Sequence, residues 1–309
     1  MIAVIGAFDG FHKGHQTLFS KAREMSINSG MNWKVLTFSP HPQQFFSGNA
    51  PSLLFVEHEK DLLRHYFKIP EICYLKFDEK MMNLSPESFV DKLEREYEVS
   101  SIIVGENFRF GKDRRGTIGY LEYLCRKKGW PFRVLPLLQE EGHVISSSSI
   151  RGMISCGQVE NARNMLGYPF FISQRVIHGD KRGRSLGYPT ANIMREHGKV
   201  VPADGVYSGL VKVGKEFWPS AINIGVNPTF SLGDCIRIEA HLIRFCGDLY
   251  DNHVQVFFLN RLRGELAFHS VEALTNQIKE DTRMVMDHWN NMPYHEYLSL
   301  ERFIRSLSN

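Results

Sequence analysis

The chain has 309 residues, 43% of them hydrophobic, which is enough for two cores of ordinary size where a single core would be unusual. Thirty-seven lysines and arginines against 34 aspartates and glutamates leave a net charge of +3, mixed along the chain. That balance argues against a dedicated nucleic-acid or membrane surface and leaves small anionic ligands open, while five scattered cysteines without a CxxC pair argue against a disulfide framework or a zinc site and suit a reducing, cytoplasmic setting.

Met1 leads into Ile-Ala-Val-Ile-Gly, an apolar run without a basic leader and too short to cross a bilayer, and it reads as a buried first strand. Further strands are predicted at Lys34 to Phe38, Ile72 to Phe77, Ser101 to Val104 and Phe132 to Leu138. Between them apolar residues recur at helical spacing, as in Leu18, Ala22 and Met25, and in Phe89, Leu93 and Tyr97 behind the capping-type Ser85-Pro86-Glu87-Ser88. Alternating strand and helix predicts a parallel sheet with right-handed crossovers.

Two short helical patterns follow, Ser148 to Cys156 and Val159 to Leu166, and then Gly167-Tyr168-Pro169 marks a change of rhythm. The domain boundary is placed there, with domains at 1–168 and 169–309. From Phe170 to about Phe258 short β-type runs alternate with Gly, Pro, Asn and Asp: Phe171 to His178, Val206 to Val213, Trp218 to Ile224, Ile236 to Phe245 and His253 to Leu259. This spacing predicts a small antiparallel barrel or sandwich. The tail turns helical, with Val271, Leu274, Ile278 and Met284 as a stripe packed on it.

The first chemical constellation lies directly after strand one, in Gly6-Ala7-Phe8-Asp9-Gly10-Phe11-His12-Lys13-Gly14-His15. A loop at the carboxyl end of a parallel strand, feeding a helix N-terminus, is where an α/β sheet binds phosphates. Gly6, Gly10 and Gly14 let the backbone approach an anion, and His12 and His15 can donate hydrogen bonds to phosphate oxygens as charge builds on them. For Asp9, orienting a ligand and stabilising the turn stand side by side.

The His-x-Gly-His pattern at His12 to His15 resembles the nucleotidyltransferase superfamily, and the fuller run with Gly6, Phe8, Asp9 and Gly10 resembles its FAD synthetase branch. The branch is a Rossmann-like α/β fold, and the resemblance implies that His12 and His15 are catalytic and that Gly6, Phe8, Asp9, Gly10 and Gly14 bind ATP phosphates. Thr37-Phe38-Ser39-Pro40-His41-Pro42 is similar to a second loop of that family, implying that His41 and Pro42 contact flavin, although Pro-His-Pro also makes a rigid turn. Gly105-Glu106-Asn107-Phe108-Arg109-Phe110-Gly111 is similar to the segment that builds the nucleotide pocket, implying roles for Asn107, Arg109 and Gly111. Ile145-Ser146-Ser147-Ser148-Ser149-Ile150-Arg151 resembles the second phosphate signature, with Ser146, Ser147, Ser148 and Arg151 as ligands. Ser148 replaces the usual Thr there, Ser149 replaces a frequent basic residue, and a serine run can equally be an N-cap.

In the β half, Gly179-Asp180-Lys181-Arg182-Gly183-Arg184-Ser185-Leu186-Gly187-Tyr188-Pro189-Thr190-Ala191-Asn192 resembles the riboflavin kinase signature. The resemblance implies that Gly179, Gly183, Arg184, Gly187 and Pro189 surround ATP phosphates, and that Thr190 and Asn192 hold phosphate and Mg²⁺ through oxygen atoms. Gly205-Val206-Tyr207, Asn223-Ile224-Gly225 with Pro228-Thr229-Phe230, Glu239 with His241-Leu242, and Gly247-Asp248-Leu249-Tyr250 continue it in order. Glu239 is then the base that takes the riboflavin hydroxyl proton; by alternation alone it is a solvent-facing strand residue. Arg261-Leu262-Arg263-Gly264-Glu265, with Phe268, resembles the flavin-side segment, implying that Arg263 and Phe268 contact flavin. Ala267, Arg244 and Asp251 depart from the usual Lys, Asp and Gly.

Together these motifs resemble the bacterial bifunctional riboflavin kinase/FMN adenylyltransferase family over residues 2 to 290. The expected small molecules are riboflavin, FMN, FAD, ATP, ADP and pyrophosphate, with ATP as its Mg²⁺ complex and without nucleic-acid or membrane partners. A homo-oligomer is left open. Two alternatives stand beside this reading: a chain in which only one activity is retained, and a non-catalytic flavin-binding regulator.

Overall fold

The structure is a computed structural model that describes residues 1–46, 52–140, 142–179, 187–226 and 236–307. The chain forms two compact units, Met1–Ser147 and Ser148–Asn309.

In the first unit, β1 (Ile2–Ile5) leads into α1 (Lys13–Ser29), β2 (Trp33–Ser39) into α2 (Pro42–Phe46) and α3 (Glu57–Tyr66), and β3 (Ile72–Lys76) into α4 (Glu79–Met82) and α5 (Pro86–Tyr97). β4 (Ser101–Gly105), α6 (Ile118–Lys128) and β5 (Phe132–Leu135) complete the layer. Five strands pair in parallel in the order β3-β2-β1-β4-β5. Every residue of β1 is buried, as a strand covered on both faces requires. The chain runs from β1 outward to β2 and returns on the other side to β4, so the loop after β1 opens at the point where the strand order reverses.

Local chemistry explains why these elements stop and start where they do. Ser85 caps α5, its Oγ accepting from Ser88 N at 3.1 Å with Pro86 at the first helical position, and Thr117 caps α6 through Tyr120 N at 3.2 Å. Phe89, Val90 and Leu93 of α5 and Leu121, Leu124 and Cys125 of α6 then close one face of the sheet. The strand predicted to Leu138 ends at Leu135, and a short hairpin follows, β6 (Gln139–Glu140) and β7 (His143–Val144).

In the second unit, helices α7 (Ser147–Ser155) and α8 (Val159–Leu166) precede β8 (Phe171–Ile177), β9 (Ala191–Ile193), β10 (Gly205–Val213), β11 (Glu216–Val226), β12 (Ile236–Leu242) and β13 (His253–Arg263). The six strands close into an antiparallel barrel ordered β10-β11-β12-β9-β8-β13. The sequence groups α7 and α8 with the first half, but α8 packs on the barrel: Glu160 Oε1 accepts from Arg261 N at 2.8 Å and Arg163 pairs with Glu296 at 2.9 Å. β9, three residues long, is too short to carry a period and reads in the sequence as part of a turn.

Two helices close the chain, α9 (Val271–Asn290), packed on β10 and β11, and α10 (Tyr294–Ser306). The predicted stripe on α9 is shifted. Val271 is 65% exposed in the first turn, and the buried positions are Asp281 and Val285, flanked by the half-buried Leu274 and Ile278. The end of α10 is held by Lys212 of β10, whose ammonium donates to the Ile304 and Leu307 carbonyls at 2.9 and 2.8 Å.

Candidate functional site

The loop between β1 and α1 is built by turning aromatic residues inward. Phe8 and Phe11 adopt left-handed backbone angles, φ of 44° and 30°, and their rings are buried. The Phe8 ring packs edge-on against His15, with centroids 5.0 Å apart, so Phe8 supports the histidine with its ring. Gly10 has φ of 91°, and a side chain there would run into Leu54. Thr37 of β2 ties the loop down, Oγ1 donating to the Ala7 carbonyl at 2.9 Å, and Asp9 Oδ1 accepts from Leu54 N and Phe55 N at 2.9 and 3.3 Å. Asp9 is therefore occupied in ordering backbone.

At the mouth of this loop His12 stands as N-cap of α1 and stacks on His15, ring centroids 3.6 Å apart. Burial pushes His12 down to about 4, against a backbone hydrogen bond that acts the other way, and burial holds His15 well below the ordinary imidazole range, with the charges of His12 and Lys60 adding in the same direction. Both rings are neutral at neutral pH. Nδ1 of each is buried without a hydrogen-bond partner among the described residues. Two neutral imidazoles stand at the start of a 17-residue helix, beside the positive end of its dipole, and imidazole N–H groups are able to donate to an anion.

Three further predicted segments reach this unit. Ser147 begins α7, and its Oγ donates to the Asp9 carbonyl at 2.7 Å, joining the serine run to the first loop. Along the same helix Arg151 Nη2 donates to Ser148 Oγ at 3.0 Å. His41 is buried, its Nδ1 accepting from Gln43 N at 3.2 Å where Pro42 opens α2. Asn107 and Arg109 lie on an exposed loop after β4, while Phe110 fixes that loop to the core and Gly111 packs on Pro86.

In the barrel, alternation along β12 sends Ile238, Ala240 and Leu242 into the core and leaves Arg237, Glu239 and His241 half-buried on the other face. β9 pairs beside it, with Asn192 opposite Glu239. Thr190 Oγ1 is 3.4 Å from Glu239 Oε2 and Arg237 Nη1 is 4.0 Å from Glu239 Oε1, so a hydroxyl, an amide and a carboxylate converge. Two contacts hold this cluster. His241 Nδ1 meets the Pro189 carbonyl at 2.9 Å, and Gly179 lies so close to Asn192 that a Cβ on Gly179 would fall on its amide.

A family model described as FAD synthetase matches residues 1–149, and one described as riboflavin kinase matches residues 166–289. Curated proteins named bifunctional riboflavin kinase/FMN adenylyltransferase are similar along nearly the whole chain. That of Pseudomonas fluorescens is 34% identical, covering 91% of this chain and 90% of the relative. That of Bacillus subtilis is 32% identical, covering 94% and 93%. The chain belongs to the bifunctional riboflavin kinase/FMN adenylyltransferase family. The Escherichia coli K12 member is 33% identical over 91% of this chain and 90% of its own length. A crystal structure described as a macrolide-efflux protein from Streptococcus pneumoniae shares 30% identity and the same fold, with a TM-score of 0.85 covering 92% and 93% of the two chains. Among the described residues of this chain no helix is long and apolar enough to cross a membrane.

In the riboflavin kinase half, Arg263 and Phe268, the residues expected to contact flavin, come together, the guanidinium 6.0 Å from the ring centroid. The guanidinium is already engaged: Nε and Nη2 donate to the two Asp281 oxygens at 2.9 and 2.7 Å, and Nη1 to the Gly264 carbonyl at 3.0 Å. Two departures from the family pattern have a backbone setting. Arg244 and Asp251 both sit at left-handed positions, φ of 64° and 62°, the second where Gly is usual and where Asp is among the residues that tolerate the angle. Gly183 and Arg184 of the kinase signature lie outside the described residues.

Two residues that no sequence motif carries act on residues the motifs single out. Lys60 of α3, 2% exposed, opposes charge on His15, and Asp281 holds Arg263; His241, quoted within the kinase signature without a role, is joined to the Pro189 carbonyl. Lys60 sits in the charged run Glu57 to Asp61, which looks like a solvated helix surface, and only its place one turn before Leu63 and Arg64 hints otherwise.

Proposed function

We infer that this chain makes FAD from riboflavin in two ATP-dependent transfers, the riboflavin kinase half producing FMN and the FAD synthetase half adenylylating it with release of pyrophosphate. The observation that carries this is the convergence of Thr190, Asn192 and Glu239 on adjacent barrel strands in a chain that also stacks His12 on His15. The two functions divide the chain at 1–168 and 169–309.

In the kinase step the riboflavin 5′-oxygen bonds to the γ-phosphorus of ATP, ADP leaves, and the hydroxyl proton passes to Glu239. Glu239 suits the task because it is half-buried, close to a hydroxyl and only loosely paired with Arg237. The groups beside it are the Thr190 hydroxyl and the Asn192 amide, whose oxygens are of the kind a hard divalent cation takes. Thr190 and Asn192 would hold Mg²⁺, which supplies neutralisation of phosphate charge when bound with ATP.

In the second step an FMN phosphate oxygen bonds to the α-phosphorus of ATP and pyrophosphate leaves. The nucleophile is already an anion, so positioning and charge neutralisation are what the protein must supply. Neutral His12 and His15 donate N–H bonds to phosphate oxygens, the N-terminus of α1 adds its dipole, and Ser146, Ser147, Ser148 and Arg151 supply further donors. His41 and Pro42 on one side and Asn107, Arg109 and Gly111 on the other border the flavin and nucleotide. The chain works in the cytoplasm, where riboflavin and ATP meet.

A time course of riboflavin, FMN and FAD with purified protein and ATP-Mg²⁺ tests the reading. FMN rises first and FAD follows; Glu239→Gln lowers FMN formation by about 10²- to 10⁴-fold and leaves FAD formation from added FMN intact. Normal FMN formation by that variant would overturn the assignment of the base, and flavin binding without pyrophosphate release would favour a regulator.

A further inference from the structure

Lys60 is a buried cation that none of the sequence motifs uses. It lies in the second turn of α3, is 2% exposed, and makes no close ion pair or side-chain hydrogen bond among the described residues. An ammonium removed from water without a bonded partner is unfavourable, and a methionine of similar length would fill the same space without that cost. The position therefore calls for a reason outside packing.

Its surroundings supply one. The entry to α3 is pinned to the phosphate loop, because Asp9 Oδ1 takes the backbone N–H groups of Leu54 and Phe55 just ahead of the helix. Glu59, fully buried, reaches back to Val56 N at 3.2 Å and fixes the first turn. Lys60 is thereby carried up to the loop: its charge opposes protonation of His15, and the Asp9 carboxylate is the strongest favourable charge acting on it. Burial nevertheless keeps the ammonium below its ordinary range, so Asp9 does not fully compensate it.

We propose that Lys60 is a phosphate-contacting residue of the adenylyltransferase site, a compact cation whose counter-charge is a phosphate group bound over the Gly6–His15 loop. The two neutral histidines provide hydrogen bonds but no charge, and the helix N-terminus provides a fraction of one. A buried lysine next to the loop's charged groups supplies the full positive charge that a pyrophosphate leaving group requires, acting as a point charge as phosphate-binding lysines do.

This proposal rests on the adenylyltransferase reading, and its test separates the two. Full-length Lys60→Met and Lys60→Arg are compared with the unaltered chain in three measurements: inorganic pyrophosphate binding by calorimetry, FAD formation from FMN, and riboflavin phosphorylation as an internal control. Lys60→Met is expected to weaken pyrophosphate binding at least tenfold and lower FAD formation by about 10²-fold, with riboflavin phosphorylation within twofold and Lys60→Arg recovering part of both losses. Unchanged pyrophosphate binding and FAD formation in Lys60→Met would overturn it. So would equal losses in Met and Arg variants whose N-terminal unit unfolds at the unaltered urea midpoint, since charge would then be irrelevant. If Lys60→Met lowers that midpoint, the Arg variant decides: recovered pyrophosphate binding supports the proposal and its absence overturns it. An unaltered chain that binds pyrophosphate through Lys60 yet makes no FAD would refute the enzymatic reading alone.

Discussion

Nδ1 of His241 lies 2.9 Å from the carbonyl oxygen of Pro189, joining strand β12 to the turn that presents Thr190. A carbonyl only accepts, so the ring carries its proton on Nδ1, and Tyr188 packs edge-on against the other side of the imidazole, centroids 5.3 Å apart. Glu239, two residues earlier on the same strand face, approaches Thr190 from below.

His241 is therefore a positioning residue for the kinase turn. His241→Leu removes the donor and is expected to raise the KM for ATP-Mg²⁺ in riboflavin phosphorylation by about tenfold, the equivalent of one hydrogen bond of ordinary strength. His241→Asn, whose Nδ2–H occupies the place of the ring Nδ1–H, is expected to recover most of that loss. Steady-state rates at varied ATP distinguish them, and equal KM values for the two variants would remove the hydrogen bond from the account.

The buried histidines give the N-terminal unit a pH dependence of defined sign. His12 falls to about 4 in the fold and returns to 6.5 on unfolding, so between those values the unfolded chain binds the extra proton. The stability contribution is fully present above pH 6.5 and declines as pH drops toward 4, by roughly 3 kcal/mol at 1.36 kcal/mol per pH unit, with His15 adding in the same direction. Trp33 and Trp130 are the reporters, in a chain whose Trp218 and Trp289 are replaced by Phe. The urea midpoint should fall steadily from pH 6.5 to 4, and a flat profile would mean that the rings are solvated. Across pH 6 to 8, FAD formation should show no histidine titration in the free enzyme.

Asp281 is the buried partner of a two-pronged ion pair, its side chain 5% exposed and that of Arg263 20%. Removing one member leaves the other charge uncompensated, so Asp281→Ala is expected to destabilise the barrel unit by about 3 kcal/mol. Gln277 Nε2, which donates to Asp281 Oδ1 at 2.9 Å, loses its acceptor as well. Riboflavin phosphorylation should decline more than FAD formation from FMN, because Arg263 and Phe268 lose their fixed relation. Denaturant unfolding followed through Trp218 and Trp289 measures the first effect, and an unchanged midpoint would show the pair to be worth no more than a surface bridge.

Much of this site was legible in the linear order of residues. The phosphate loop after β1, the capping Ser85, the alternation along β12 and the run Pro189 to Asn192 are local patterns, set by backbone geometry over a few neighbours. Features that depend on a distant surface are not legible in this way. Val271 fits a helical stripe, yet the barrel meets α9 further along, at Asp281 and Val285, and a buried aspartate breaks any apolar pattern. Phe8 reads as part of a ligand loop, and only its left-handed backbone reveals that the ring turns inward onto His15.

The sequence by itself determined a parallel α/β half and a small antiparallel β half, barrel or sandwich, with a glycine- and histidine-rich loop in the first and an oxygen-rich turn in the second; closure into a barrel is tertiary. Periodicity and short motifs are properties of neighbouring residues and survive without a fold. Only the tertiary structure decided the stacking and burial of His12 and His15, the burial of Lys60, the closeness of Gly179 to Asn192, and the capture of Arg263 by Asp281. Each of those depends on desolvation or on contact between segments far apart in the chain, and neither is written in the residues on either side.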